Sequence, residues 1–195
     1  MQLDKSYWEE RYQTNKTSWN LGYPSTPIKT YIDQIKDKSI SILMPGAGNA
    51  YEAEYLHSMG YTDVTVIDLA PSPLKNLLTR VPQFPKDKAI LGNFLEHHGT
   101  YDLIIEQTFF CALDPRIRNS YVQKMHELLN LNGTLAGLLF NKVFEKDGPP
   151  FGGAMEEYKL LFQSLFNIQT MEPCYNSIES RAGNELFFIL KKLEV

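Results

Sequence analysis

One stretch of this sequence is well suited to hold a nucleoside. An apolar run breaks into Gly46-Ala47-Gly48, and the next apolar run ends on an acid, Asp68. Glycines belong at such a break because the backbone must turn sharply and let a ligand approach where a Cβ would block it. The acid falls about 20 residues beyond the glycines, where nucleotide-binding α/β folds place a ribose partner. A carboxylate facing two neighbouring hydroxyls accepts from both, which is the chemistry of holding a ribose.

The residues around the loop choose between nucleosides. A dinucleotide loop reads GxGxxG, but the position of its third glycine here is Tyr51, and Glu52 and Glu54 follow at the start of a helix. Acids there repel a phosphate at the helix end that favours anions. A cationic sulfonium tolerates them, which favours S-adenosylmethionine over NAD. A plain tight turn is the remaining alternative. Gly92-Asn93-Phe94 offers an amide and an apolar face to an adenine ring, although Phe94 also suits a core. Glu106-Gln107-Thr108 ends another apolar run, with Phe109 and Phe110 beside it to shape a pocket or to pack.

Candidates for handling a second substrate are fewer. Arg181 could orient an anionic acceptor, with Glu185 close by in SRAGNEL and Lys142 elsewhere. Gly148-Pro149-Pro150-Phe151 reads as a pocket wall, stiffened by its prolines and followed by Gly152-Gly153. Tyr158 is either a polar pocket residue or part of a core stripe with Leu161 and Leu165. No general base stands out. His97 and His98 are adjacent and so point apart in regular structure, and no metal site is expected.

These residues must be positioned by alternating strands and helices. Short apolar runs at 39–44, 63–69, 88–91, 101–107 and 134–141 read as buried strands. Helical patterns at 51–59, 72–80 and 116–129 lie between them. Ser72 is read as an N-cap with Pro73 at the first helical position, and Asn132-Gly133 as the stop after the third helix. A helix at 155–166 then precedes two successive strands, 167–171 and 185–192, which suggests an antiparallel hairpin at the sheet edge. The pattern is that of a doubly wound, mostly parallel α/β sheet.

Bulk properties narrow the class further. A chain of 195 residues, 43% apolar and 22% charged, suits one globular domain over 1–195. Its net charge of −4 argues against a coat for nucleic acid. Cys111 and Cys174 lack the spacing of a zinc site or a disulfide framework. The start lacks the apolar core of a signal peptide, and no apolar run reaches membrane-spanning length. A cytoplasmic protein, monomeric or weakly dimeric and with no membrane partner, is the expectation.

Taken together, these stretches resemble the thiopurine methyltransferase-like family, especially its plant and bacterial halide/thiol methyltransferase branch. The resemblance runs from WEERY and SWNLGYPSTPI through LMPGAGNA, VTVIDLA and GNF. It continues through IIEQTFFCALDPRIRNSYVQKMHELLNLNG to DGPPF and RAGNE. It implies a seven-stranded class I S-adenosylmethionine-dependent methyltransferase sheet whose last strand inserts antiparallel. It also implies that residues 1–35 form a lid segment over the cofactor. The implied cofactor set is Trp8, Tyr12, Trp19, Gly46, Gly48, Asp68, Leu69, Asn93, Phe94 and Gln107. Phe109, Phe110, Pro150, Phe151 and Arg181 are the implied pocket residues, and Arg181 and Glu185 the candidates for catalysis. Aromatic faces suit a sulfonium because of its positive charge. Three positions depart from the pattern: Tyr12 stands for a tryptophan, Asn93 for an aspartate and Gln107 for a tyrosine. The implied reaction is methylation of a small thiol, sulfide, thiocyanate or halide. Methylation of a phenol, amine or metalloid, or cofactor binding without turnover, are the alternatives.

Overall fold

The computed structural model describes residues 2–145 and 147–194. Two helices come first, α1 (Lys5–Gln13) and α2 (Thr26–Ile32). The alternating part follows: β1 (Ile42–Pro45), α3 (Tyr51–Ser58), β2 (Val64–Asp68), α4 (Pro71–Arg80), β3 (Ala89–Leu91), β4 (Tyr101–Gln107), α5 (Arg118–Leu128) and β5 (Leu129–Phe140). The chain closes with α6 (Met155–Phe162), β6 (Phe166–Pro173) and β7 (Glu185–Lys192). All seven strands join one sheet in the order β3-β2-β1-β4-β5-β7-β6. The first five pair in parallel, while β7 runs antiparallel to both β5 and β6. The expected edge hairpin of β6 and β7 is present, with β7 inserted between β5 and the edge strand β6.

The central strands read as continuous apolar runs because both faces are covered. Along β1, Leu43 joins one core, and Ile42 and Met44 the other. Tyr121, Phe110, Phe162 and Phe188 fill the first core with α5 and α6. Ile28, Ile32, Leu56 and Leu77 fill the second with α2, α3 and α4. Each such fully buried side chain contributes roughly 1.5–3 kcal/mol.

Several local expectations change. Helix α4 starts at Pro71 with Ala70 as its cap, so Ser72 lies inside the first turn. Ser72 is free for another partner, described below. Asn132-Gly133 does not end a helix: α5 stops at Leu128, and β5 is already paired at Leu129. Pairing with β4 then lapses and resumes at Thr134, so these residues form a bulge. Asn132 takes φ +61 there, and a Cβ on Gly133 would stand 2.8 Å from the Asn130 carbonyl. The helix read at 155–166 ends at Phe162, and Phe166 already begins β6. Helix α2 lies in a stretch the sequence reading left unassigned.

Candidate active site

The strand order reverses between β1 and β4, which opens a crevice at their carboxyl ends. A cavity of about 740 Å³ occupies it. At its base the chain leaves β1 through Gly46 and Gly48, both left-handed at φ +56 and +55. A Cβ on Gly46 would stand 1.9 Å from Phe109 Cδ2, and one on Gly48 would face Trp19 Cδ1 at 3.6 Å and the Tyr12 hydroxyl at 3.9 Å. The loop is therefore a glycine cradle under an aromatic roof. Asp68, at the end of β2, accepts from the Ala70 amide at 2.9 Å and also lines the cavity. Burial pushes its carboxyl up to about 7, against the pull of backbone amides at Ala70, Gly48 and Leu69.

The roof comes from the start of the chain. Asp4 caps α1 by accepting from the Tyr7 amide at 2.9 Å. Trp8 and Tyr12, four residues apart, share one face of the helix. Both rings pack edge-on against Trp19, with centroids 5.7 Å apart in each pair. Burial and the nearby Asp68 raise the Tyr12 hydroxyl above the ordinary phenol range. Helix α1 is pinned to α4 by Glu9, whose carboxylate accepts from the Ser72 amide at 3.1 Å and the Ser72 hydroxyl at 2.6 Å.

A polar network forms the floor. Glu52 is buried and accepts from the Ser25 amide at 2.8 Å. Its carboxyl is raised by burial, despite those donors and the charge of Arg181. With its amide oriented to satisfy both neighbours, Gln107 donates to Glu52 Oε1 at 3.0 Å and accepts from Arg181 Nη1 at 3.3 Å. Arg181 pairs with Glu185 at 3.2 Å and donates to the Trp19 carbonyl at 3.3 Å. Glu54 turns away to Arg80 at 2.7 Å, so only one of the two helix-opening acids reaches the cavity.

The other expected residues divide. Trp8, Tyr12, Trp19, Gly46, Gly48, Asp68, Leu69, Asn93, Phe94 and Gln107 all line the cavity, as do Phe109, Pro150 and Arg181. The Asn93 side-chain oxygen caps its own short turn by accepting from the Leu95 amide at 3.1 Å, while its side-chain nitrogen donates to the Glu96 carboxylate at 3.1 Å. Phe94 packs edge-on to Phe109 at 5.0 Å. Three others do not line the cavity. Phe110 is fully buried against Tyr121 in the first core, while its neighbour Phe109 lines the cavity. Phe151 is tied by its amide to the Cys111 carbonyl at 2.6 Å and leaves the wall to Pro149 and Pro150. Glu185 lies outside the cavity wall, with a side chain 1% exposed.

The remaining candidates also have plain places. Lys142 bridges to Gly153 away from the cavity. Tyr158 is a core residue whose hydroxyl donates to the Phe140 carbonyl at 2.8 Å. His97 meets the Tyr101 hydroxyl at 2.7 Å, and no potential metal-binding group of three or more side chains occurs among the described residues. Arg118 holds the proline loop by donating to the Gly152 carbonyl at 2.9 Å and pairing with Glu157 at 3.0 Å. Sequence reasoning missed Arg11, Asp114 and Arg116, all on the cavity wall. Arg11 was findable, since it follows Trp8 by three residues on the same helix.

Comparison with known proteins now adds to this geometry. Residues 3–188 match the family Thiopurine S-methyltransferase (TPMT). The chain is 28% identical to a probable thiol methyltransferase 2 of Arabidopsis thaliana, over 78% of this chain and 69% of that protein. It is 25% identical to thiocyanate methyltransferase 1 of Brassica oleracea, over 98% of this chain and 87% of that protein. Among solved structures, the N-methyltransferase NodS of Bradyrhizobium japonicum, in complex with S-adenosylhomocysteine, shares the fold. Its TM-score is 0.73 at 18% identity, covering 98% of this chain and all of that one.

Proposed function

The chain belongs to the thiopurine S-methyltransferase family, and on that premise we propose that it methylates a small soft nucleophile: a thiol, sulfide, thiocyanate or halide. The methyl donor is S-adenosylmethionine. One observation carries this reading: the glycine cradle and Asp68 lie under the aromatic roof of Trp8, Tyr12 and Trp19. The residues fit the donor. Asp68 suits a ribose diol, the left-handed glycines leave room for the chain of the cofactor, and aromatic faces suit a sulfonium. Asn93 and Phe94 flank the adenine end, and Leu69 and Gln107 complete the set. The bound cofactor supplies a methyl carbon on a positively charged sulfur, which leaves as a neutral thioether.

The chain itself then has three tasks. It holds the donor, it orients the acceptor against Phe109 and Pro150, and it keeps water from the nucleophile. Positioning of this kind can supply up to about 7–11 kcal/mol by intramolecular analogy. Arg181 is a positioning residue here: tied to Glu185, Gln107 and the Trp19 carbonyl, it holds roof and floor together. A pyrophosphate fits less well, because the buried Glu52 opens the adjoining helix and reaches the cavity.

Calorimetric titration with S-adenosylmethionine and NAD tests the reading, with Asp68→Ala as control. Binding of the former alone, weakened at least tenfold in the variant, is expected. Methyl transfer to a panel of thiols, sulfide, thiocyanate and iodide then identifies the acceptor class. Binding of NAD alone, or of neither, would sink the reading.

A further inference from the structure

Four cations line the cavity: two are paired with carboxylates, and Lys5 is left to solvent. Lys5 is exposed to solvent, one helical turn from Glu9. Arg116 is 84% exposed and paired with Asp114 at the rim. Arg181 pairs with Glu185 and donates to the Trp19 carbonyl. Arg11 differs. It is half-buried, its guanidinium lies 4.5 Å over the Tyr7 ring, and one terminal nitrogen donates to the Tyr7 hydroxyl. No carboxylate among the described residues pairs with it, and its Nε is buried without any hydrogen-bond partner. Arginine carries five donors, and a buried charged donor left unpaired is costly. Beyond the bond to Tyr7, the terminal nitrogens of this half-buried guanidinium keep donors uncommitted on the cavity wall, and such donors suit an anion.

The carboxylates of the cavity point the same way. Asp4 is taken up as the cap of α1. Glu52 is buried and already accepts from Ser25 and Gln107. Asp68 sits at the ribose end of the site, facing Tyr12 and Gly48. Asp114 is clamped by Arg116, which with its own backbone amide holds the carboxyl down to about 2. None of the four is both free and placed to take a proton from a second substrate.

We infer that Arg11 binds the acceptor, and that the acceptor enters the cavity as an anion whose proton is already lost. The inference rests on the proposed methyl transfer and sharpens it: Arg11 selects acceptors by charge, so thiolates, thiocyanate and other soft anions are taken and neutral nucleophiles are refused. Arg11 acts through hydrogen bonds that a lysine replaces in charge but not in geometry.

The test compares Arg11→Gln and Arg11→Lys with the parent protein, at saturating S-adenosylmethionine so that Asp68 is already engaged. Calorimetry with S-adenosylhomocysteine is expected to give an affinity unchanged within about twofold. kcat/KM for thiocyanate is expected to fall by about tenfold or more in Arg11→Gln, chiefly through KM, with partial recovery in Arg11→Lys. In the parent, activity with an aryl and an alkyl thiol should rise through each acceptor's own thiol pKa, while activity with thiocyanate stays flat with pH. If the Arg11→Gln protein instead loses S-adenosylhomocysteine binding, Arg11 serves the carboxylate of the donor and the proposal is wrong. One pH midpoint shared by both thiols would reveal a base in the protein and overturn it as well. If Arg11→Gln does not fold, the Arg11→Lys kinetics and the parent pH profiles decide alone. A parent that binds no S-adenosylmethionine defeats the proposed function itself, whereas full activity in Arg11→Gln defeats only the role of Arg11.

Discussion

Arg181 and Glu185 form an ion pair at 3.2 Å whose members are 11% and 1% exposed, set where β7 begins beside the cavity floor. Removing one member of a buried pair leaves the other charge stranded, at a cost of about 3–5 kcal/mol. Arg181→Gln is therefore expected to destabilise the protein by about that much in urea denaturation. The double variant Arg181→Gln/Glu185→Gln should recover most of the loss. A loss under about 1 kcal/mol in the single variant, the level of an exposed pair, would show that the pair is not structural.

Cofactor affinity should depend on pH through Asp68. Burial raises the carboxyl to about 7 in the free protein, so near neutrality much of it is protonated. The ionised form is the better acceptor for a ribose diol. Affinity for S-adenosylmethionine should therefore rise with pH through about 7 and level off above it. At about pH 6 it is expected to be about tenfold weaker than at pH 8, since each unit below the pKa costs tenfold. Asp68→Asn should bind weakly at every pH with no slope, as isothermal titration across this range would show.

Gly46 has neither the conformation nor the space for a side chain. Its φ is +56, and a Cβ would stand 1.9 Å from the Phe109 ring. Gly46→Ala is expected to cost about 1–2 kcal/mol from the left-handed backbone alone, and more from the clash. Adding Phe109→Ala should relieve the clash and leave the backbone cost. Thermal melts of the single and double variants measure the two parts separately. Equal melting temperatures for Gly46→Ala and the parent would contradict both.

Glu106 supplies a stability signature between acid and mildly alkaline pH. It is fully buried at the end of β4, accepts from the Phe110 amide at 3.1 Å, and has one oxygen without a partner. Burial lifts its carboxyl to about 8 from 4.5. At pH below 4.5 the group is neutral whether folded or unfolded, so stability is fully present there. As pH rises from 4.5 to about 8 only the unfolded chain ionises freely, and stability is lost. Glu106→Gln should flatten this decline, and be the more stable protein at the alkaline end. Parallel declines in denaturation series at several pH values would rule the assignment out.

Much of the fold was legible because the parallel strands announce themselves. β1, β2 and β4 are largely buried, and the sequence shows them as mostly apolar runs leading to Gly46, Asp68 and Gln107. Gly46, Asp68 and Gln107 were visible for the same reason, since the ends of those strands face one crevice, whereas Trp8, Tyr12 and Trp19 came only from the family resemblance. What sequence could not give was the direction of side chains in irregular backbone. Phe109 and Phe110 are adjacent and chemically alike, yet one lines the cavity and the other fills the core. Ser72 looks like a helix cap and instead takes Glu9 from across 63 residues. Asn132 reads as a helix stop, but its left-handed backbone serves a strand bulge. Such choices depend on partners distant in the chain, which local pattern does not encode.

The placement of Trp8 and Trp19 has a spectroscopic consequence. They are the two tryptophans of the chain, and both stand on the cavity wall in mutual contact. Intrinsic tryptophan emission is therefore a reporter of the roof, blind to the sheet and its two cores. Ligand entry can be followed without a label, as quenching or a shift in colour. A melt followed by that emission tracks the loosening of the first helix, and its midpoint falls below that of a circular-dichroism melt whenever the roof opens before the sheet.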